Sequence, residues 1–339
     1  MKGIFTISLD FELHWGGFEK WPISLNNVQL QKNSYNQYFL NTRKVIPLML
    51  SLFKKYEIHV TWATVGMLMH ANKTQLIENF PDLKPEYKEN KLSAYHYIET
   101  NGIGEDETND PFHYADLLIQ QILTTPNQEL GSHTFAHYYC NEEGQTIEQF
   151  RTDLQAAQKA ASRYGKKLQS LVFPRNQFNN DYLKVCFDEG IKVVRSNPLD
   201  WFWNIQSTQD ESLWKRLNRG LDAYFPVGKN NTYKLDELIR VQNLPLFLPA
   251  SRLLRPYRKK ELFLNKFKID RIKLEMERAA RNSDVYHLWW HPHNFGNFSE
   301  ENLIDLEAIL KHFSYCKAKY QMQSLSMVEI SDNFSTNHA

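Results

Sequence analysis

The sequence has little cysteine: only Cys140, Cys186 and Cys316 occur among its 339 residues. No two of them stand in a Cys-x-x-Cys pair, and their number is odd. That excludes a disulfide framework and a cysteine-rich zinc site, and leaves three ordinary reduced thiols. Long apolar runs are missing too. No window approaches the roughly 18 to 20 consecutive apolar residues of a membrane-spanning helix. The short apolar run at the start follows a single lysine and meets Asp10 without a small-residue cleavage site, so it does not read as a signal peptide. The expectation is a soluble cytoplasmic protein. A charge excess is also absent: 40 basic residues against 39 acidic ones leave a net charge of +1, which offers no electrostatic footprint for a nucleic-acid partner. There is no internal repeat and no stretch that reads as a domain linker.

What is present is enough for a large core. Hydrophobic residues make up 42% of the chain and aromatics 14%, and α/β barrels run to this length as one unit. Residues 4 to 9 read as a buried strand, followed by a loop over 13 to 36 with Gly16-Gly17 and Pro22. A helix is expected from Thr42 through Lys55, with Val45, Leu48, Met49 and Leu52 in the helical period. Pro47 falls early in that span, where a proline does least damage. A strand over 58 to 65 follows. Strand, helix, strand is the signature of parallel pairing.

Residues 70 to 112 read as an irregular excursion over the active-site end. Beyond it, the pattern predicts a helix at 113 to 123, a strand at 129 to 132, and a helix from Thr146, a candidate N-cap, to Tyr164, stopped by Gly165. Then come a strand at 171 to 173, a helix at 179 to 189 and a strand at 191 to 195. From 205 to 285 the periodicity loosens. A strand at 285 to 290, a helix at 300 to 312 and a short strand near 324 to 327 close the chain.

The chemistry gathers around Gly131-Ser132-His133-Thr134-Phe135-Ala136-His137. If the segment turns helically, two imidazoles four apart converge on one side, as a divalent metal requires. The first strand runs straight into Asp10 and Glu12, and residues i and i+2 of a strand share a face. Two histidines, a carboxylate and a nearby base are the parts of a hydrolytic metal site. A different feature is the basic run after Ser251, including Arg252, Arg255, Arg258, Lys259 and Lys260. It reads either as a solvated helix face or as a contact, over 252–260, for an anionic carrier such as a nucleotide diphosphate or lipid phosphate.

Four separated strand ends thus carry polar groups: Asp10 and Glu12, His133 and His137, Arg175, and His291. Active groups collected on strand C-termini are expected of an α/β barrel. In order and local sequence the chain resembles the polysaccharide deacetylase family, carbohydrate esterase family four, whose fold is a distorted (β/α) barrel. Leu9-Asp10-Phe11-Glu12 is similar to the first motif, in which one acid is the base and the next binds metal. His133-Thr134-x-x-His137 matches the family's metal motif, the most specific piece. Phe173-Pro174-Arg175-Asn176 is similar to the third motif, whose arginine holds the catalytic acid, and Leu288-Trp289-Trp290-His291 to the last, whose histidine is the general acid. Asp200-Trp201 has a superficial likeness to the fourth.

Two departures stand out. Asp-x-Glu replaces adjacent aspartates, and Pro174 precedes Arg175 instead of following it. The resemblance covers about residues 1 to 200 and 285 to 330, so the chain reads as one domain over 1–339 with an extra segment at about 205–285.

The resemblance implies a metal-dependent hydrolase that removes an N-acetyl group from a sugar or glycan precursor, in surface polysaccharide biosynthesis. Zinc is the first choice of ion, with cobalt or another divalent ion next. Glu12, His133 and His137 would hold it, Asp10 would be the base, Arg175 its positioning partner and His291 the acid. Trp289 or Trp290 would floor the sugar site. Which of Asp10 and Glu12 touches the metal stays open at this stage, as does the choice of acid between His291 and His293. His14 is a further candidate of the first motif. Cleavage of another amide or an O-acetyl ester, and silent carbohydrate binding, are the competing classes.

Overall fold

The first strand shows why the fold forms as it does. β1 (Ile4–Phe11) is buried at every position, so both faces must be covered, and a strand covered on both faces belongs inside a parallel sheet flanked by helices. The computed structural model describes residues 2–23, 34–198, 200–203, 212–225, 227–228, 231–238 and 241–337. Part of the loop expected at 13 to 36, residues 24 to 33, lies outside them.

After β1 come α1 (Ser34–Lys55), β2 (Val60–Thr64), α2 (Lys73–Glu78), α3 (Ala94–Asn101), α4 (Asp116–Thr124), β3 (Gln128–Ser132), α5 (Ile147–Ser162), β4 (Ser170–Leu171), α6 (Asn180–Asp188) and β5 (Val193–Ser196). The second half holds α7 (Leu213–Asp222), β6 (Leu246–Pro249), β7 (Arg252–Leu253), α8 (Leu262–Asn282), β8 (Val285–Trp290), α9 (Ser299–Tyr320), β9 (Gln323–Ser324) and α10 (Met327–Asn337). α1 begins eight residues before the predicted start, which leaves Pro47 inside the helix. The excursion at 70 to 112 is not irregular throughout, since α2 and α3 lie in it. Thr146 caps α5 as expected, in a full capping box with Gln149.

Among the described residues the named strands pair in parallel, in the order β6-β5-β4-β3-β2-β1-β8-β7, with β9 added beside β1. The two ends of this sheet are consecutive in sequence: only Ala250 and Ser251 separate β6 from β7. The Ala250 N–H donates to Ser196 on the β5 side, 2.9 Å, and the Ser251 N–H to His287 on the β8 side, 2.8 Å. One short stretch therefore crosses from the last strand back to the first and closes a distorted (β/α) barrel. The segment at 205–285, predicted as an addition to the barrel, supplies this closure; its strands are too short to show a period.

Because the sheet closes, alternate residues of each strand face a lumen. On β1, Ile7, Leu9 and Phe11 join the main apolar cluster with Ile46, Met49 and Phe53 of α1. Ser8 and Asp10 instead meet Arg195 of β5, four strands away in the sheet order. Only curvature brings those strands together.

Candidate active site

Asp10, at the C-terminal end of β1, is 4% exposed. Its two carboxylate oxygens accept hydrogen bonds from the two terminal nitrogens of Arg195, at 2.6 and 2.8 Å. The same guanidinium donates to Ser8 Oγ, 3.1 Å, and to Asn176 Oδ1, 3.2 Å, and stacks over the Trp289 ring at 4.2 Å. Burial pushes the Asp10 carboxyl upward, but Arg195, with His291 behind it, outweighs that and holds it below its ordinary value. One strand further round, His287 Nε2 lies 2.8 Å from Ser8 Oγ. Burial, and then the Arg195 charge, push this imidazole down to about 3, so it is neutral.

The two histidines of the metal motif converge, but not on a helix. Thr134 and His137 both take left-handed backbone angles, φ 62° and 54°, so residues 133–137 form a knot of turns. Asp153 of α5 pins it: its two oxygens accept the Phe135 and Ala136 N–H groups at 2.7 and 3.1 Å. His133 Nδ1 faces the Val172 carbonyl, 2.8 Å, and His137 Nδ1 the Tyr139 hydroxyl, 3.0 Å. Both Nε2 atoms point at one oxygen of Glu12, at 2.9 and 3.2 Å. Burial drives the Glu12 carboxyl up, yet His291 and the two histidine contacts leave it well below the usual carboxylate range.

This donor set fits a divalent metal. A carbonyl can only accept, so His133 must carry its proton on Nδ1; the Tyr139 hydroxyl, bonded also to Glu19, can accept from His137 Nδ1 in the same way. A charged imidazole can donate its Nε2–H to Glu12, whereas a neutral one with its proton on Nδ1 leaves Nε2 bare, so that the two nitrogens and the Glu12 oxygen are aimed at one shared cation. Two neutral imidazoles, oriented by hydrogen bonds through their far nitrogens, and one carboxylate are the ligands such an ion prefers. The ligand atoms of Glu12, His133 and His137 lie within 4.8 Å of one another, as do those of Asp10, Glu12 and His291.

His291 follows β8 directly. Its Nε2 is 3.6 Å from Glu12 Oε1 and 3.7 Å from Asp10 Oδ2, and its side chain keeps 27% exposure. His293 stacks beneath it, with ring centroids 5.0 Å apart. Burial, then the His291 charge, lower His293 to about 3, and its Nδ1 has no partner among the described residues. His14 is elsewhere, in a buried chain with His113 and Asp110, its Nδ1 2.8 Å from His113 Nε2. Trp290 is fully buried against Phe295, whereas Trp289 lies under Arg195.

The arginine expected to hold Asp10 does something else. Arg175 and Asn176 both adopt left-handed angles, φ 54° and 53°, and the Arg175 side chain leaves the lumen for Glu19 at 2.6 Å and Glu142 at 3.3 Å, stacked over Tyr139 at 4.1 Å. It thus supports the His137 side of the site, and the grip on Asp10 passes to Arg195. Asp200 accepts a hydrogen bond from Asn231 at 2.8 Å. Arg252 is buried between Glu275 and Asp222, at 2.6 and 3.1 Å, so the start of the basic run at 252–260 is an internal ion network.

Sequence reasoning missed Arg195, His287, Asp153, Tyr139 and Glu19. For Arg195 one signal existed, a cation directly after the paired valines Val193 and Val194.

A cleft of about 470 Å³ adjoins the cluster, lined by Gly16, Trp21, Tyr38, Phe39, His293 and Asn294 among others. Gly16 leaves room for the Glu12 carboxylate: a Cβ at that position would sit 1.8 Å from Oε2 and displace it. A larger depression of about 660 Å³ lies around Lys2, Asn127 and Gln323, by the N-terminal ends of the strands, away from these groups.

The comparisons with known proteins bear on the fold and on part of the sequence. The profile of the family described as polysaccharide deacetylase matches residues 36–194. Among solved structures, a protein assigned to the polysaccharide deacetylases from Mycobacterium smegmatis shares 12% identity, with TM-score 0.60 over 99% of this chain and 92% of that one. Puue allantoinase shares 12%, with TM-score 0.54 over 99% and 91%. A polysaccharide deacetylase assigned from Pseudomonas aeruginosa PAO1 shares 11%, with TM-score 0.54 over 99% and 91%. At such identities the structures speak for the barrel alone. No curated protein matches the sequence. The resemblance read from the motifs is borne out as a match to the polysaccharide deacetylase family model over 36–194. Asp10, Glu12, Arg195 and His291 lie outside that span and are brought to His133 and His137 by the fold.

Proposed function

We propose that this chain, a relative of the polysaccharide deacetylases, is a metal-dependent hydrolase that removes an N-acetyl group from a sugar or glycan precursor. The observation that carries the reading is the convergence of two imidazole Nε2 atoms on one Glu12 oxygen, with a buried, arginine-clamped Asp10 and a solvent-open His291 beside them.

Glu12, His133 and His137 would hold the ion; zinc is the first candidate and cobalt suits the same ligands. When bound, it lowers the pKa of a water and polarises the acetyl carbonyl. Asp10 takes the proton of the attacking water; its two oxygens are shared with Arg195, which keeps the carboxylate ionised and fixes its direction. His291 gives a proton to the departing nitrogen, being the one histidine of the group with solvent access. His293, buried and held down to about 3, carries no proton to give near neutrality and serves as the stacking support of His291. The cleft with Trp21, Tyr38 and Phe39 is of a size and lining suited to a sugar ring.

The test is elemental mass spectrometry on purified protein without added metal, for the wild type and for His133→Ala/His137→Ala. About one divalent ion per wild-type chain, lost in the double variant, supports the site and directs a screen of acetylated sugars for acetate release. No metal in the wild type, even after incubation with zinc or cobalt, sinks the mechanism.

A further inference from the structure

α7 is an amphipathic helix turned the wrong way round. Its large side chains Leu213, Trp214 and Leu217 are 80%, 71% and 51% exposed, while its polar Asp222 is buried. A helix of a water-soluble barrel ordinarily presents the opposite faces. The start of α8 repeats the pattern: Leu262, Phe263 and Phe267 are 59%, 88% and 54% exposed, and Asn265 and Lys268 face inward.

The two elements are joined side by side. The Tyr224 hydroxyl bonds to Glu261, Arg271 donates to the carbonyls of Asp222 and Phe225, and Arg255 donates to the Arg219 carbonyl. Over 255–267 five Lys and Arg stand against Glu261 alone, and four of them, Arg258, Lys259, Lys260 and Lys266, are exposed. The whole chain is balanced to +1, so the excess is local.

We infer that this face, α7 with the start of α8, docks on an anionic lipid surface. Tryptophan, phenylalanine and leucine at the tips of a helix with lysine and arginine around them is the composition of helices that lie in a membrane interface. A second copy of the chain is a poor occupant, because a two-fold contact would set this cationic rim against itself, and lysine is depleted from protein interfaces. The docking face also leads to the catalytic cluster: the Arg219 guanidinium lies 5.4 Å over Trp203, which meets Trp289 at 6.1 Å, which in turn meets His291 at 5.8 Å. A substrate carried on a lipid would reach the acid along that row. This inference does not rest on the deacetylase reading, since vesicle binding needs no turnover.

The experiment is co-sedimentation of the full chain with vesicles of phosphatidylglycerol and phosphatidylcholine, and with phosphatidylcholine alone, at low and high salt. The side chains at positions 214 and 263 are largely in water, so Trp214→Asp/Phe263→Asp folds like the wild type, which circular dichroism checks. The expected result is binding to the anionic vesicles that weakens with salt. It falls about tenfold or more in Trp214→Asp/Phe263→Asp, from the lost apolar burial. It also falls in Lys259→Glu/Lys260→Glu, by about fivefold for each cation removed. Absence of wild-type binding to the anionic vesicles, or equal binding by the variants, overturns the inference. A wild-type dimer that Trp214→Asp/Phe263→Asp converts to a monomer, with no vesicle binding, assigns the face to a second copy and overturns it as well.

Discussion

Replacing Arg195 by methionine tests how the base is kept charged. The guanidinium and the Asp10 carboxylate are 1% and 5% exposed, and methionine fills much of the arginine stem's volume without its charge. Asp10 would then be a buried carboxylate without its counter-ion. Removing one partner of such a pair costs roughly 3 to 5 kcal/mol when the other stays ionised. At about 1.4 kcal/mol per pH unit, the carboxyl of the variant moves up by some two units or more.

The sign follows from the two states. In the wild type the folded value lies below the ordinary 3.8, so Asp10 contributes stability that is fully present above pH 3.8 and is lost only as pH falls through the folded value. In Arg195→Met the folded value lies above 3.8, so the penalty is absent in acid and grows as pH rises. The gap in Tm between the two proteins should therefore be wide at pH 7, on the order of 5 to 10 °C, and narrow toward pH 4. In kinetics, the acid limb of kcat/KM for acetate release should move to higher pH by a similar two units. A Tm gap independent of pH, together with an unmoved acid limb, would refute the claim that Arg195 acts by holding Asp10 as an anion. Arg175→Met is the control. That arginine bonds Glu19 and Glu142, so its removal should leave the acid limb in place.

Three further outcomes are expected. Gly16→Ala should drive Glu12 off its position, because the new Cβ would lie 1.8 Å from Oε2; metal affinity, read by competition with a chelator, should fall about 10- to 100-fold, the range seen when ligand positioning is lost. Asp153→Asn offers a single acceptor oxygen where two N–H groups are bound. It should cost about 1 to 3 kcal/mol of stability and loosen the metal, both measurable by thermal melts with and without chelator. His291→Asn should lower kcat by about 10²- to 10⁴-fold with metal content unchanged, whereas His293→Asn should lower it by much less, and equal losses would reopen the choice between them.

Much of this was legible beforehand because it is local. An apolar strand running into Asp10-Phe11-Glu12 brings both acids to one strand end, although only Asp10 lies in β1 and Glu12 opens the turn after it, and His133-x-x-x-His137 brings two imidazoles together whether the segment is a helix or, as here, a knot with two left-handed residues. The misplaced arginine shows the limit. Arg195 lies within β5, whereas Arg175 lies in the turn four residues beyond β4, and period-two alternation can say only which face a strand residue takes. Whether an arginine reaches Asp10 depends on the distance across the lumen, which is set by how far the sheet curls.

That curl is fixed by Ala250 and Ser251, whose N–H groups bind β5 on one side and β8 on the other. They lie in the stretch whose pattern was weakest, because strands of two to four residues are too short to show a period. The residues that decide which arginine keeps the base ionised are therefore two small ones on the far side of the barrel, with no chemistry of their own. If this is correct, bulk at Ser251, whose hydroxyl accepts the His287 N–H at 2.9 Å and donates to the Asn231 carbonyl at 2.6 Å, should push β5 and β8 apart. Ser251→Val should then reproduce the Arg195→Met displacement of the acid limb in weaker form, with Arg195 itself intact. A variant that lost stability but kept the wild-type acid limb would show that the closure and the Asp10 clamp are independent.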